Sequence, residues 1–86
     1  MKNCWVTVAF ESGLHARPAA NLMKEAQKFQ SDIRIGKDGQ ECNAKSLVDI
    51  LRLGANCGDM VEIRCSGADE DAALETIKNY IEDTKG

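Results

Sequence analysis

The sequence is poor in the residues that build metal centres, redox motifs and membrane spans. It has one histidine, His15, and its four cysteines, Cys4, Cys42, Cys57 and Cys65, include no C-x-x-C pair and lie far from that histidine in sequence. Zinc-ribbon and thioredoxin-like patterns are therefore missing, and scattered thiols of this kind read as small buried hydrophobes. No apolar run approaches the length that crosses a bilayer, and Met1-Lys2-Asn3-Cys4-Trp5 lacks the apolar stretch of a secretory signal. The expectation is a cytoplasmic protein with no membrane insertion, no metal and no cofactor. Eleven Lys and Arg against 14 Asp and Glu give a formal net charge of -3, so nothing points to nucleic acid as a partner. Linkers, repeats and low-complexity segments are absent too, which leaves one domain spanning residues 1–86.

What is present is periodicity. Hydrophobic residues make up 43% and charged residues 29% of the chain, an ordinary globular balance. From Cys4 to Phe10 the residues alternate, with Cys4, Val6, Val8 and Phe10 on one face and Trp5 on the other, which predicts a strand with one open side. Ala19, Leu22, Met23, Ala26 and Phe29 draw the stripe of a helix that packs on a sheet. Ile33 and Ile35 alternate with polar residues, and Asp38-Gly39 is a hairpin signal that returns the chain through Gln40 to Ala44. Ser46 followed by Asp49 has the pattern of a capping box and predicts a short helix from Leu47 to about Gly54. Val61, Ile63 and Cys65 face inward on a strand over Met60 to Ser66. Ala73, Leu74, Ile77, Tyr80 and Ile81 line a last helix after an acidic first turn. The order β-α-β-β-α-β-α predicts an α+β fold of two layers, an open-faced β-sandwich of four strands with three helices on one face.

The chemistry concentrates in Ser12-Gly13-Leu14-His15-Ala16-Arg17-Pro18. Pro18 suits the first turn of the helix that follows, which puts His15 at or just before a helix N-terminus, where backbone N–H groups favour an anion. Arg17 adds a planar, permanently charged fork matched to phosphate oxygens. Two readings fit this string. His15 is a helix cap beside an ordinary surface arginine, or its imidazole is a nucleophile that takes a phosphoryl group while the helix end and Arg17 hold the oxygens. The short helix poses a second question. Ile50 and Leu53 face the core, yet Leu47, Val48 and Leu51 leave it apolar around most of its girth, either a docking patch or a sign of deeper burial.

Gly13-Leu14-His15-Ala16-Arg17-Pro18-Ala19 resembles the phosphorylation-site signature of the HPr family, the histidine-containing phosphocarriers of the phosphoenolpyruvate:sugar phosphotransferase system. Asn43-Ala44-Lys45-Ser46-Leu47, running on to Leu53-Gly54, resembles that family's regulatory-serine segment at the family's usual distance from the histidine, and the likeness extends from about Val6 to Ile81. The resemblance implies an antiparallel sheet and a monomeric carrier rather than an enzyme. Its His15 would accept a phosphoryl group at Nδ1 from phosphoenolpyruvate-charged enzyme I and pass it to enzyme IIA domains for sugar uptake. It further implies Arg17 as the phosphate contact, Ser12 as a loop residue near it, and Ala16, Ala20, Leu47, Val48 and Leu51 as the docking surface. Ser46 would be the target of a regulatory serine kinase found in some bacteria, although Asp49, one turn away, would repel that phosphate. Two rivals stay open within the family, a regulatory HPr-like paralogue that works as a protein-interaction module and the nitrogen branch of the system. A cysteine-based metal or redox protein is the unrelated alternative.

Overall fold

The computed structural model describes residues 1–11, 13–14 and 16–82. Seven elements follow in the expected order: β1 Lys2–Thr7, α1 Ala16–Ala26, β2 Asp32–Lys37, β3 Gln40–Asn43, α2 Leu47–Leu53, β4 Met60–Ser66 and α3 Glu70–Glu82. The strands form one antiparallel sheet in the order β1-β4-β2-β3. Its inward face carries Val6, Ile33, Ile35, Cys42, Val61, Ile63 and Cys65, all buried against Leu22, Ala26, Ile50, Ala73, Ile77 and Ile81 from the helices. Each large aliphatic side chain taken out of water in this layer contributes roughly 1.5–3 kcal/mol. The α+β open-faced arrangement expected from the alternating and helical stripes is the one observed.

β1 departs from its predicted bounds. It begins at Lys2 and leaves the ladder after Thr7, although Val8 and Phe10 stay buried as the alternation required. The reason lies in its neighbour. β4 starts at Met60, opposite Thr7, and before it the chain is a turn. Val8 therefore bonds to that turn, donating to the Asp59 carbonyl at 2.9 Å and accepting from the Gly58 N–H at 2.9 Å. The β2–β3 hairpin closes as the Asp-Gly signal predicts. Asp38 and Gly39 both take positive φ, 51° and 81°, the conformation that matches strand twist.

Among the described residues, nothing packs above the strands on the outward face. Arg34 and Arg64 lie directly opposite each other there, a like-charge pair that would be unfavourable alone. Asp32 pairs with Arg34, and Glu41 and Glu62 flank Arg64. Trp5, 58% exposed, stands on this side as the alternation of β1 demands. Among the described residues no helix is long and apolar enough to cross a membrane.

Candidate functional site

His15 and Ser12 lie outside the described residues, and the site is built from what surrounds them in the chain. Gly13 is buried with φ +74°, and a Cβ there would lie 2.6 Å from the Ala55 carbonyl oxygen and 2.9 Å from Asn56 Cα. Only glycine fits both the backbone angle and the approach. Leu14 then buries its side chain, and its N–H donates to the Ala55 carbonyl at 2.9 Å. The segment that leads into His15 is thus pressed onto the loop between α2 and β4.

α1 starts at Ala16, the residue after His15, with Pro18 in its first turn and buried. No acidic residue occupies that turn, and Arg17 is exposed within it. A cation at the positive end of a helix dipole is electrostatically unfavourable, so this end carries surplus positive potential that an anion would relieve. Among the described residues Arg17 pairs with no carboxylate, whereas Arg34, Arg52 and Arg64 all do. The first turn is anchored from the far end of the chain: the Tyr80 hydroxyl donates to the Pro18 carbonyl at 3.0 Å, and its ring packs against Phe10 at 5.2 Å between centroids. Burial of that phenol raises its pKa, which keeps the hydroxyl a donor.

α2 lies beside α1 and runs antiparallel to it. Lys45, just before α2, reaches the chain three residues beyond the end of α1, its ammonium donating to the Phe29 carbonyl at 2.7 Å, while Ala55, just after α2, meets Leu14 before α1 begins. Ser46 caps α2 and accepts from the Asp49 N–H at 3.4 Å; Gly54 closes the helix in the left-handed region. Only half of the expected capping box forms. The Ser46 N–H bonds to the Asn43 carbonyl, and the Asp49 carboxylate instead accepts from the Asn43 N–H at 3.4 Å and pairs with Arg52. Aspartate is one methylene shorter than the glutamate that usually closes the box. α1 is about 16 Å long for its 11 residues, with Arg17 in its first turn and the chain just before Ser46 beside its far end, where Gln27 donates to the Lys45 carbonyl at 3.4 Å.

The apolar surplus of α2 divides. Leu47 is half-buried and packs on the core, so burial accounts for part of it. Val48 is 70% exposed and Leu51 41%, and no described residue covers them. Ala16 is exposed at the start of α1, and Ala20, one turn on, is half-buried. Small residues along α1 and a short aliphatic ridge on α2 therefore lie on neighbouring helices.

The cysteines behave unevenly. Cys42 and Cys65 are buried, and burial pushes both thiols up to about 11, so they are protonated and inert near neutral pH. Cys4 is half-buried and Cys57 is exposed in the turn before β4, which departs from a uniform burial. No group of three His, Cys, Asp or Glu that could hold a metal ion occurs among the described residues.

Sequence reasoning missed two residues beneath this surface. Lys37, next to the Asp38-Gly39 turn, closes β2 on the same face as Ile33 and Ile35. Its ammonium meets the Gly54 carbonyl at 3.1 Å and the Asp59 carboxylate at 2.9 Å. The period-two parity of β2, carried one step further, was the available signal.

Comparison with known proteins agrees with this geometry. Residues 3–83 match the family described as the PTS HPr component phosphorylation site. The chain is 38% identical to the phosphocarrier protein HPr of Mycoplasma genitalium over 86 residues, covering 99% of this chain and 98% of that one. It is 40% identical to the HPr-like protein Crh of Bacillus subtilis over 78 residues, 91% and 92% of the two chains. The crystal structure of a phosphocarrier protein HPr from Bacillus anthracis superposes with a TM-score of 0.90 at 41% identity, covering 93% of this chain and 95% of that one. With the same sheet, the same helices and the histidine motif leading into α1, this chain belongs to the HPr family of phosphocarriers of the phosphotransferase system.

Proposed function

We propose that this chain is a cytoplasmic, monomeric phosphoryl carrier that accepts its group on His15 from phosphoenolpyruvate-charged enzyme I and delivers it to enzyme IIA domains. The observation that carries this reading is the first turn of α1, which holds an exposed arginine and no carboxylate directly after the motif histidine. An imidazole with an ordinary pKa of about 6.5 is largely neutral at pH 7 and can attack phosphorus. The donor's bond to phosphorus breaks as the ring nitrogen bond forms, and the reverse occurs at the acceptor. Phosphoryl transfer needs chiefly positioning and charge stabilisation, and the partners supply most of it. One arginine and one helix end make a modest anion site, which suits a group that must leave again. The same reading takes Ser12, by family resemblance, as a loop contact for that group, and Ala16, Ala20, Leu47, Val48 and Leu51 as the docking surface.

Ser46 is proposed as a second, regulatory phosphorylation site. Asp49 is less of an obstacle than its spacing implies, because its charge is already engaged by Arg52. A phosphate would add about -1.5 to -2 charges at the edge of the Val48–Leu51 ridge and repel partners shaped for a neutral surface.

The deciding experiment is incubation with phosphoenolpyruvate and enzyme I, followed by intact mass measurement before and after acid. One added phosphate, labile in acid and absent from His15→Ala, is expected; no added mass overturns the carrier role. The high identity to Crh favours a second reading, a regulatory interaction module. Retention of His15 weighs against a paralogue that has lost the carrier step, and a pure interaction module would show no mass gain in the same assay. Relatives include a Crh described as a swapped dimer, so sedimentation distinguishes the monomer expected here.

A further inference from the structure

We infer that Lys37 and Asp59 form a clamp that positions the phosphoacceptor segment from the opposite side of the α2–β4 loop, an inference that rests on His15 being the carrier residue. Lys37 comes from the inward face of β2, where its stem is partly covered and its ammonium has two partners. One is the Gly54 carbonyl, a group freed at the C-terminal end of α2, where a cation is favoured by both hydrogen bonding and the helix dipole. The other is the Asp59 carboxylate, whose Oδ2 also accepts from the Asn56 N–H at 2.8 Å. The two side chains thereby tie both ends of the segment 54–59 to the sheet.

That segment is the surface on which the acceptor motif rests. The Ala55 carbonyl receives the Leu14 N–H, and Ala55 with Asn56 forms the wall against which Gly13 packs without room for a Cβ. Ala55 and Asn56 lie between Gly54 and Asp59 in the chain, so their placement follows from where the clamp holds those two residues. Neither Lys37 nor Asp59 touches the transferred group; both act through the loop. A small displacement at Ala55 would carry Leu14, and the histidine that follows it, away from the geometry in which transfer is fast.

Lys37→Met removes the ammonium while keeping the aliphatic stem, Lys37→Arg restores the charge and donor, and Asp59→Asn breaks the clamp from the other side. Two measurements are made on each: native-state amide exchange at Leu14 relative to Ile63 in the centre of the sheet, and kcat and KM for this chain as substrate of enzyme I. Loss of a charge-assisted hydrogen bond of this class should raise Leu14 exchange about tenfold relative to Ile63 in Lys37→Met and Asp59→Asn. It should also lower kcat more than it raises KM, with Lys37→Arg recovering both. If Leu14 and Ile63 change in parallel, the pair is merely structural and the inference falls. If Leu14 alone loosens and kcat is unchanged, its bearing on transfer falls. Should wild-type protein take no phosphate, the carrier role fails instead, and the exchange comparison still decides whether the clamp exists.

Discussion

Gly13 and Arg17 flank the histidine and should respond to substitution in opposite ways. Gly13→Ala forces a Cβ into the Ala55–Asn56 backbone at φ +74°, so a loss of at least about 2 kcal/mol in chemical denaturation is expected. Arg17→Ala removes an exposed side chain with no carboxylate partner among the described residues, so its midpoint should stay within about 0.5 kcal/mol of wild type. The rate of phosphoryl transfer in Arg17→Ala should fall all the same, and an unchanged rate would remove Arg17 from the mechanism. The sequence made both residues visible as a motif but did not reveal why the glycine is required. That requirement arises from a loop more than 40 positions along the chain, which no local pattern reports.

Elements reveal the same division between local and distant causes. α2 was legible because Ser46, the apolar positions and Gly54 mark its two ends, and the β2–β3 hairpin because Asp38-Gly39 permits only a few backbone turns. The sheet order β1-β4-β2-β3 was not legible, since it is set by how strands far apart in the chain share one core face. Nor was the part played by Asp69, which in the sequence merely adjoins the acidic first turn of α3. It precedes that helix, and its carboxylate accepts from the N–H groups of Gln30 and Ser31, each at 2.9 Å, and from the Ser31 hydroxyl, stapling α3 to the entry of β2. These bonds, the Ser31 hydroxyl foremost, hold the Asp69 pKa below the usual carboxylate range. The folded form thus binds its proton less readily than the unfolded chain does, and the stabilisation is complete above the unfolded value of about 3.9. It is lost as pH falls through the lower folded value. Acid unfolding monitored by circular dichroism should accordingly be shallower in Asp69→Asn, and that variant should have a lower Tm at pH 7.

At the scale of the whole molecule, the two helices that carry the motif, the ridge and Ser46 lie on one side of the sheet, and the antiparallel run of α1 and α2 spreads these features along a single face. A replacement that makes the ridge polar, Val48→Ser with Leu51→Ser, should leave the fold intact because both side chains are exposed. Its KM with enzyme I should rise several-fold while the acid-labile phosphate still forms at saturation; an unchanged KM would place docking elsewhere. The reverse of the sheet has a different use. Trp5 is the only indole in the chain, and it projects into solvent from the side that bears no helices. Its emission is a built-in reference channel: a partner seated over α1 and α2 should leave the spectrum nearly untouched, whereas any ligand or neighbour that settles on the bare strands should announce itself as a shift in colour.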